Sequence, residues 1–497
     1  MLRSWIVRAA VLSGLTLSGR PAVVGAQAYD IVLKGGRVMD PESGLDAVRN
    51  VGIRGGRIAA VSATPLTGKA VIDVKGHVVS PGFIDLHAHG QDVDDNKWQA
   101  RDGVTTALEM EAGVYPVAEW YRSREGNAYI NFGATVGHIS ARVAVFTNAR
   151  TRDEVVKARQ STESPMPAWS HSKATPEQTE QLLGFINQGL DEGALGIGMG
   201  INYTPAAMPQ EIYQVFKLAK ERHRTIFVHL RGAGPTEPNG SVGAAQEVLA
   251  DAATTGASLH IVHLGSSGLG QGKLLAEMVD GAKARGLDVT TEAYPYTAGS
   301  TLLQSAIFDP GWQEKLGIGF GDLQWPATNE RLTEESFSRY RKEGGWIIIH
   351  MIPEETVRYL VGHSGVMIAS DGVPIINGRG HPRGVGTFAR VLGRYVREQK
   401  ALTLMEAIRK MSYLPAERVR TSVPAMARKG RIKVGADADI TVFDPDKVID
   451  RATFENPVQA SEGIPYVLVN GVVVVKNGQL VDGAMAGRPV RAATAPR

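Results

Sequence analysis

Ser80-Pro-Gly-Phe-Ile-Asp-Leu-His-Ala-His, which closes on His89, is the stretch that decides the fold. Phe83 to Leu86 is a short apolar run entered through Pro-Gly, and it leads into two histidines spaced i, i+2. On an extended chain such residues point the same way, about 7 Å apart, so two imidazoles can grip one ion. Asp85, just before them, is placed to orient a ligand or cap the strand. An isolated His-x-His pair says little; a pair at the end of a strand says much more.

Other apolar runs finish in the same manner. Thr105-Thr-Ala-Leu-Glu-Met-Glu, Thr225-Ile-Phe-Val-His-Leu, Ser258-Leu-His-Ile-Val-His-Leu and Val366-Met-Ile-Ala-Ser-Asp each close on polar groups, and helical stretches such as Pro209 to His223 and Ser241 to Thr254 lie between. Alternating strand and helix predicts a parallel sheet, and the span from 81 to 430 suits a closed TIM-type (β/α)8 barrel. In that architecture the strand C-termini face the active site. His87, His89, Glu109 or Glu111, His229, His263 and Asp371 would then meet at one mouth. Imidazoles with carboxylates there are the donor set of a one- or two-ion hydrolytic centre, with zinc expected and manganese or cobalt able to replace it. His260 competes with His263 within one run and reads as a core residue. His138, His350, His363 and His381 have no comparable placement.

Both chain ends are β-rich. Tyr29 to Val38 and Val51 to Val61 are short alternating runs broken by Gly-Gly, as hairpins are, and Asn470-Gly471 is a type I′ turn signal between two β-branched runs. The predicted organisation is a leader at 1–28, a small β-sandwich built from 29–80 and 431–485, the barrel over 81–430, and a tail at 486–497. Residues 297–350 interrupt the barrel rhythm with weak periodicity and three tryptophans, and form a candidate lid.

The leader has Arg3 and Arg8 ahead of a short apolar core and closes on Ala26-Gln27-Ala28, the pattern of a secretory signal, so a periplasmic protein is expected. No later run reaches the roughly 20 apolar residues of a membrane span. A net charge of +3 on 497 residues gives no basic field for nucleic acid. The chain has no cysteine, so metal must be held by His, Asp, Glu or a modified Lys. A small-molecule substrate is expected; the oligomeric state is open at this point.

With these motifs in view the chain resembles the amidohydrolase superfamily, and within it the N-acyl-D-amino-acid deacylase (D-aminoacylase) family. The likeness rests on the Ser80–His89 stretch, Gly103-Val-Thr-Thr, Val228-His-Leu-Arg-Gly, Ile261-Val-His, Tyr294-Pro-Tyr-Thr-Ala-Gly-Ser-Thr, Ala369-Ser-Asp-Gly, His381-Pro-Arg-Gly-Val-Gly-Thr-Phe and the closing Lys429–Phe443 stretch. The resemblance implies His87, His89 and Asp371 on one metal and His229 and His263 on the second. The bridging position, often cysteine in relatives, falls on Glu111. It further implies Asp371 as the proton-transferring group and Arg383, Tyr294 and Ser300 as the grip on a substrate carboxylate. Relatives outside this branch bridge with a carbamylated lysine from a mid-barrel strand, but Gly193-Ala-Leu-Gly-Ile-Gly-Met-Gly contains none. A lysine common after the second-metal histidine is replaced by the Gly265-Ser-Ser loop, and Arg231 is an alternative anion partner. The activity implied is deacylation of N-acyl-D-amino acids. A D-residue dipeptidase, an amidase for uncharged or cyclic amides, and an inactive binding protein are the competing readings.

Overall fold

The computed structural model describes residues 1, 28–237 and 240–494; the leader assigned to 1–28 lies outside them except for its two end residues. Eight parallel strands pair in chain order: Phe83–Asp85, Val104–Val114, Asn131–Gly137, Gly196–Gly200, Thr225–His229, Ser258–Ile261, Val289–Ala293 and Val366–Ile368, hereafter strands one to eight. The sheet closes where Ala88 bridges Gly372 and the His89 N–H donates to the Gly372 carbonyl at 2.8 Å. Asp85 makes that seam. Fully buried, it accepts from the backbone N–H of His87 (3.1 Å) and Ser370 (3.0 Å) and from the Ser370 hydroxyl, binding strand one to the end of strand eight. The seam gives the expected strand-capping role of Asp85 a specific form: it caps two strands at once.

The intervening helices cover the barrel for the reason their sequences suggest. Pro209–Glu221 starts on proline, whose missing N–H is no loss in a first turn, and buries Ile212, Val215, Phe216 and Ala219. That i, i+3, i+4, i+7 set is one apolar face, and each large member gains about 1.5–3 kcal/mol on burial. Strand four is glycine-rich because it passes close to strand two. A Cβ on Gly198 would press on the Glu111 and Met110 carbonyls and on the Thr135 hydroxyl. No side chain, lysine included, fits the barrel interior at that point.

The chain ends share one nine-stranded sheet, in which Val78–Pro81 from the N-terminal part pairs with Ile440–Phe443 from the C-terminal part. It folds over a single core that includes Leu33, Ile53, Ile58, Ile440 and Leu468. Asn470 and Gly471 both have positive φ, as a type I′ turn requires. The hairpin expected at Gly35-Gly36 is not there: Tyr29–Asp40 is one strand, with a bulge between Leu33 and Gly36 that uses the positive φ of Gly35. Gly55-Gly56 does turn the chain, between Leu45–Arg54 and Arg57–Ser62. The stretch taken as a tail docks on the barrel, where the Val490 N–H donates to the Phe132 carbonyl at 2.7 Å.

The insertion is more ordered than its weak periodicity suggested. Ala298–Leu302, Trp346–His350, Leu323–Trp325 and Glu330–Arg331 form a separate four-stranded antiparallel sheet. Phe308, Trp312, Phe337 and Tyr340 make its own small core. From the end of strand seven it reaches across the mouth: Asp309 pairs with His171 (2.8 Å), and the Gln304 side-chain amide donates to the Gln160 carbonyl (3.3 Å).

Candidate metal centre

Every site residue expected from the sequence lies at the mouth formed by the strand C-termini, lining or flooring a cavity of about 390 Å³. His87 and His89 lie just past strand one, not on it, held there by an antiparallel bridge from His87 to Glu109 and by the Ala88–Gly372 seam. Glu109 and Glu111 come from strand two, His229 from the end of strand five, His263 from just beyond strand six and Asp371 from just beyond strand eight. His263 (φ 33°) and Asp371 (φ 51°) both have left-handed backbone, a strained state for non-glycine residues that the surrounding hydrogen bonds hold in place.

Four atoms in this site face one another in an unusual way. His87 Nε2 lies 3.2 Å from His89 Nε2, 3.2 Å from Glu111 Oε2 and 3.3 Å from Asp371 Oδ1. His89 Nε2 lies 3.1 Å from the same Glu111 oxygen and 3.2 Å from the same Asp371 oxygen. These are five edges of one tetrahedron, each between 3.1 and 3.3 Å. Ligands held about 2.0–2.1 Å from a tetrahedral zinc are separated by roughly 3.3–3.4 Å, so the donor set fits one ion at its centre. The imidazole tautomers fit as well. His87 Nδ1 is 2.6 Å from Glu292 and His89 Nδ1 is 2.7 Å from Glu109, so each ring can donate through Nδ1 and leave its Nε2 lone pair turned inward. Two lone pairs and two carboxylate oxygens then converge with no proton among them. The local field asks for a cation too: burial opposes charge on His87, yet Asp371, Glu292 and Glu111 outweigh it and raise its pKa well above the ordinary value.

Glu111 also belongs to a second group. Its other oxygen, Oε1, lies 2.6 Å from His229 Nδ1 and 3.5 Å from His263 Nε2, so one carboxylate touches all four imidazoles. Burial works against its charge, but His229, His263, His87 and His89 hold its pKa well below the ordinary carboxylate range. A bridging geometry is therefore available without cysteine or lysine.

Beside these groups the cavity floor holds donors with nothing to bond. Arg383, 1% exposed, has its Nη1 2.9 Å from Asp371 Oδ2 but poorly aligned, and its Nε is unpartnered. The Tyr294 and Ser300 hydroxyls, also buried, are unpartnered too. Burial pushes the Tyr294 hydroxyl up to about 12, so it stays a donor. Buried polar groups are nearly always satisfied; three together in a cavity mark where a ligand's acceptors belong. Ser266, from the Gly265-Ser-Ser loop, lines the cavity. Arg231 is not available for an anion, because Glu247 takes it in a two-pronged pair at 2.8 Å.

Sequence reasoning missed one supporting residue and left another unplaced. Glu292, in strand seven, bonds both His87 and His260 (3.1 Å), so His260 supports the site from beneath. Val289-Thr-Thr-Glu-Ala is a short β-branched run that carries a carboxylate one residue before its end, and that signal was available. His381 accepts from the Arg383 backbone N–H (3.0 Å) and contacts the Ala298 carbonyl (2.9 Å), which fixes the start of the helix carrying Arg383. Glu109, considered as a base, is occupied with orienting His89.

Comparison with known proteins shows the family. Residues 70–307 and 362–475 match the profile described as Amidohydrolase family. The chain is 30% identical to an N-acyl-D-glutamate deacylase of Alcaligenes xylosoxydans xylosoxydans and 31% identical to a D-aminoacylase of the same organism, each alignment covering 93% of this chain and 98% of the relative. The solved N-acyl-D-glutamate deacylase from Bordetella bronchiseptica, complexed with zinc and a phosphonate mimic of the tetrahedral intermediate, superposes with a TM-score of 0.77 at 27% identity over 94% of this chain and 100% of that one.

Proposed function

From a chain that belongs to the amidohydrolase family, in its N-acyl-D-amino-acid deacylase branch, we infer a metal-dependent hydrolase that splits N-acyl-D-amino acids into a carboxylate and a D-amino acid. The observation that carries this reading is the pairing of the metal-fitting tetrahedron with unpartnered donors on Arg383, Tyr294 and Ser300. We assign His87, His89 and Asp371 to one ion, His229 and His263 to a second, and Glu111 to both. Zinc or a similar divalent ion would supply Lewis acidity there, polarising the amide carbonyl and acidifying a water toward neutrality.

The chain's own groups do the rest. Arg383, with the Tyr294 and Ser300 hydroxyls, binds the substrate carboxylate; a guanidinium fork suits that anion because it can make two parallel bonds. Arg383 and His87 overcome the effect of burial and keep Asp371 ionised, with Arg383 the stronger influence. An ionised Asp371 can take a proton from the attacking water and pass it to the leaving nitrogen. Glu292 and Glu109 keep His87 and His89 in the tautomer that turns Nε2 inward. The insertion, tied across the mouth through Asp309 and Gln304, limits water.

A cyclic amidase bridged by carbamylated lysine is disfavoured by the contact of Gly198 with Glu111. With no lysine in the Gly265-Ser-Ser loop after His263, one fixed cation is left for the carboxylate, so weaker substrate binding is expected. Export to the periplasm is part of the proposal and rests on the leader pattern; the N-terminus of the native protein should begin at or near Tyr29. Chelator-treated protein, reloaded with zinc and offered N-acetyl-D- and N-acetyl-L-leucine, should release only the D-amino acid and only with metal. Bound zinc with turnover of neither enantiomer would overturn the substrate.

A further inference from the structure

Strand order places the two ends of a substrate. In a closed eight-stranded barrel, strands three and seven stand opposite one another. Tyr294 and Ser300 follow strand seven and Arg383 follows strand eight, so the carboxylate grip occupies one side of the mouth. With a substrate carboxylate held there and its amide over the metal centre between, the acyl group must run toward the connection after strand three.

That side of the cavity is basic. The helix Arg152–Gln160 lies in the connection between strands three and four. It turns Arg152, Val156 and Arg159 to the cavity, an i, i+4, i+7 face. Neither arginine forms an ion pair among the described residues, and Val156 stays exposed. Arg124 lines the same wall, stacked on Trp120 and paired with Asp92 at 3.3 Å. Burial first, and then the nearby charge of Arg152, lower its pKa to about 10, so the guanidinium groups sense each other. The insertion adds apolar Leu302 and Ile307 to the lining of the same cavity. Arg152 and Arg159, on one helix face toward the cavity and without an ion pair of their own, suit an anion brought by a ligand.

We propose that Arg152 and Arg159 form an outer subsite for a carboxylate at the far end of the acyl group, so that the preferred substrates are amides of a dicarboxylic acid or of an acidic residue. The inference rests on the deacylase reading above, since the strand-seven grip sets the direction of the substrate. Three compounds test it on the zinc-loaded enzyme: N-glutaryl-D-leucine, its isostere with a terminal carboxamide, and N-acetyl-D-leucine. The glutaryl compound should exceed the carboxamide in kcat/KM by about tenfold, a few-fold for each partly exposed arginine. In R152Q/R159Q that ratio should fall to near one, with N-acetyl-D-leucine turned over as in wild type. In R152E/R159E the ratio should invert. A wild-type ratio near one, or one that survives R152Q/R159Q, overturns the subsite while N-acetyl-D-leucine turnover keeps the deacylase. Turnover of none of the three overturns both.

Discussion

Glu292→Ala is the perturbation that probes how this centre is held. The carboxylate is 1% exposed, lies 2.6 Å from His87 Nδ1 and 3.1 Å from His260 Nε2, and burial opposed by His87 leaves its pKa at about 2. Removing it strips His87 of the acceptor that fixes its tautomer, so Nε2 is no longer committed to face the metal. Loss of such an orienting partner weakens metal affinity by about 10–100-fold. It also leaves two buried imidazole N–H groups unpartnered, at about 1–3 kcal/mol each, so melting should fall as well. Glu292→Gln keeps an acceptor and loses only the charge, and should lie near the lower end of the affinity change. Zinc affinity is measured by competition with a chelator, and kcat/KM at limiting and at saturating zinc. Activity should recover at saturating zinc in the glutamine variant. Unchanged zinc affinity in both variants would refute the role given to Glu292.

Three other outcomes follow from the same geometry. Asp371→Asn should lower kcat by about 10²–10⁴-fold, the scale of a lost acid–base group, with KM little changed in steady-state assays. Arg383→Met should raise KM for N-acetyl-D-leucine by roughly 10–100-fold, the worth of a charge-assisted bond, and leave turnover of N-acetyl-D-leucinamide, which lacks that carboxylate, unaffected. Asp102 is held at about 8 because burial outweighs its three donors, the Phe388 and Ala389 backbone N–H groups and Ser461. An unfolded aspartate titrates near 3.9, so between about pH 4 and 8 the folded protein keeps a proton the unfolded chain has released. Stability from this group is full below pH 4 and is lost as pH rises through 8. Asp102→Asn should flatten that slope in urea titrations at stepped pH.

The metal centre was legible in the sequence because its logic is local: one polar residue type at the end of one apolar run, repeated around the barrel. His87, His89, Glu111, His229, His263 and Asp371 each carry that mark. Residues that act on another residue carry no such mark unless they sit at a strand end, which is why His381 was left unplaced and Glu292 need not have been missed. The arginines of Arg152–Gln160 carry no mark in the sequence; the strand order places their helix in the connection after strand three. Gly35-Gly36 and Gly55-Gly56 look alike in sequence, yet one makes a bulge and the other a turn. The difference lies in pairing: Tyr29–Asp40 stays beside one partner on both sides of its glycines, a contact the pair itself does not encode. The insertion's sheet was hidden because its strands are two to five residues long and its core draws on helices between them.

Anomalous diffraction at the zinc edge, from crystals grown with zinc, tests the central claim most directly. The account predicts anomalous density only within the ring of His87, His89, Glu111, His229, His263 and Asp371, with Glu111 in contact with every ion found. Density elsewhere at the mouth, or an ion that Glu111 does not touch, would contradict it.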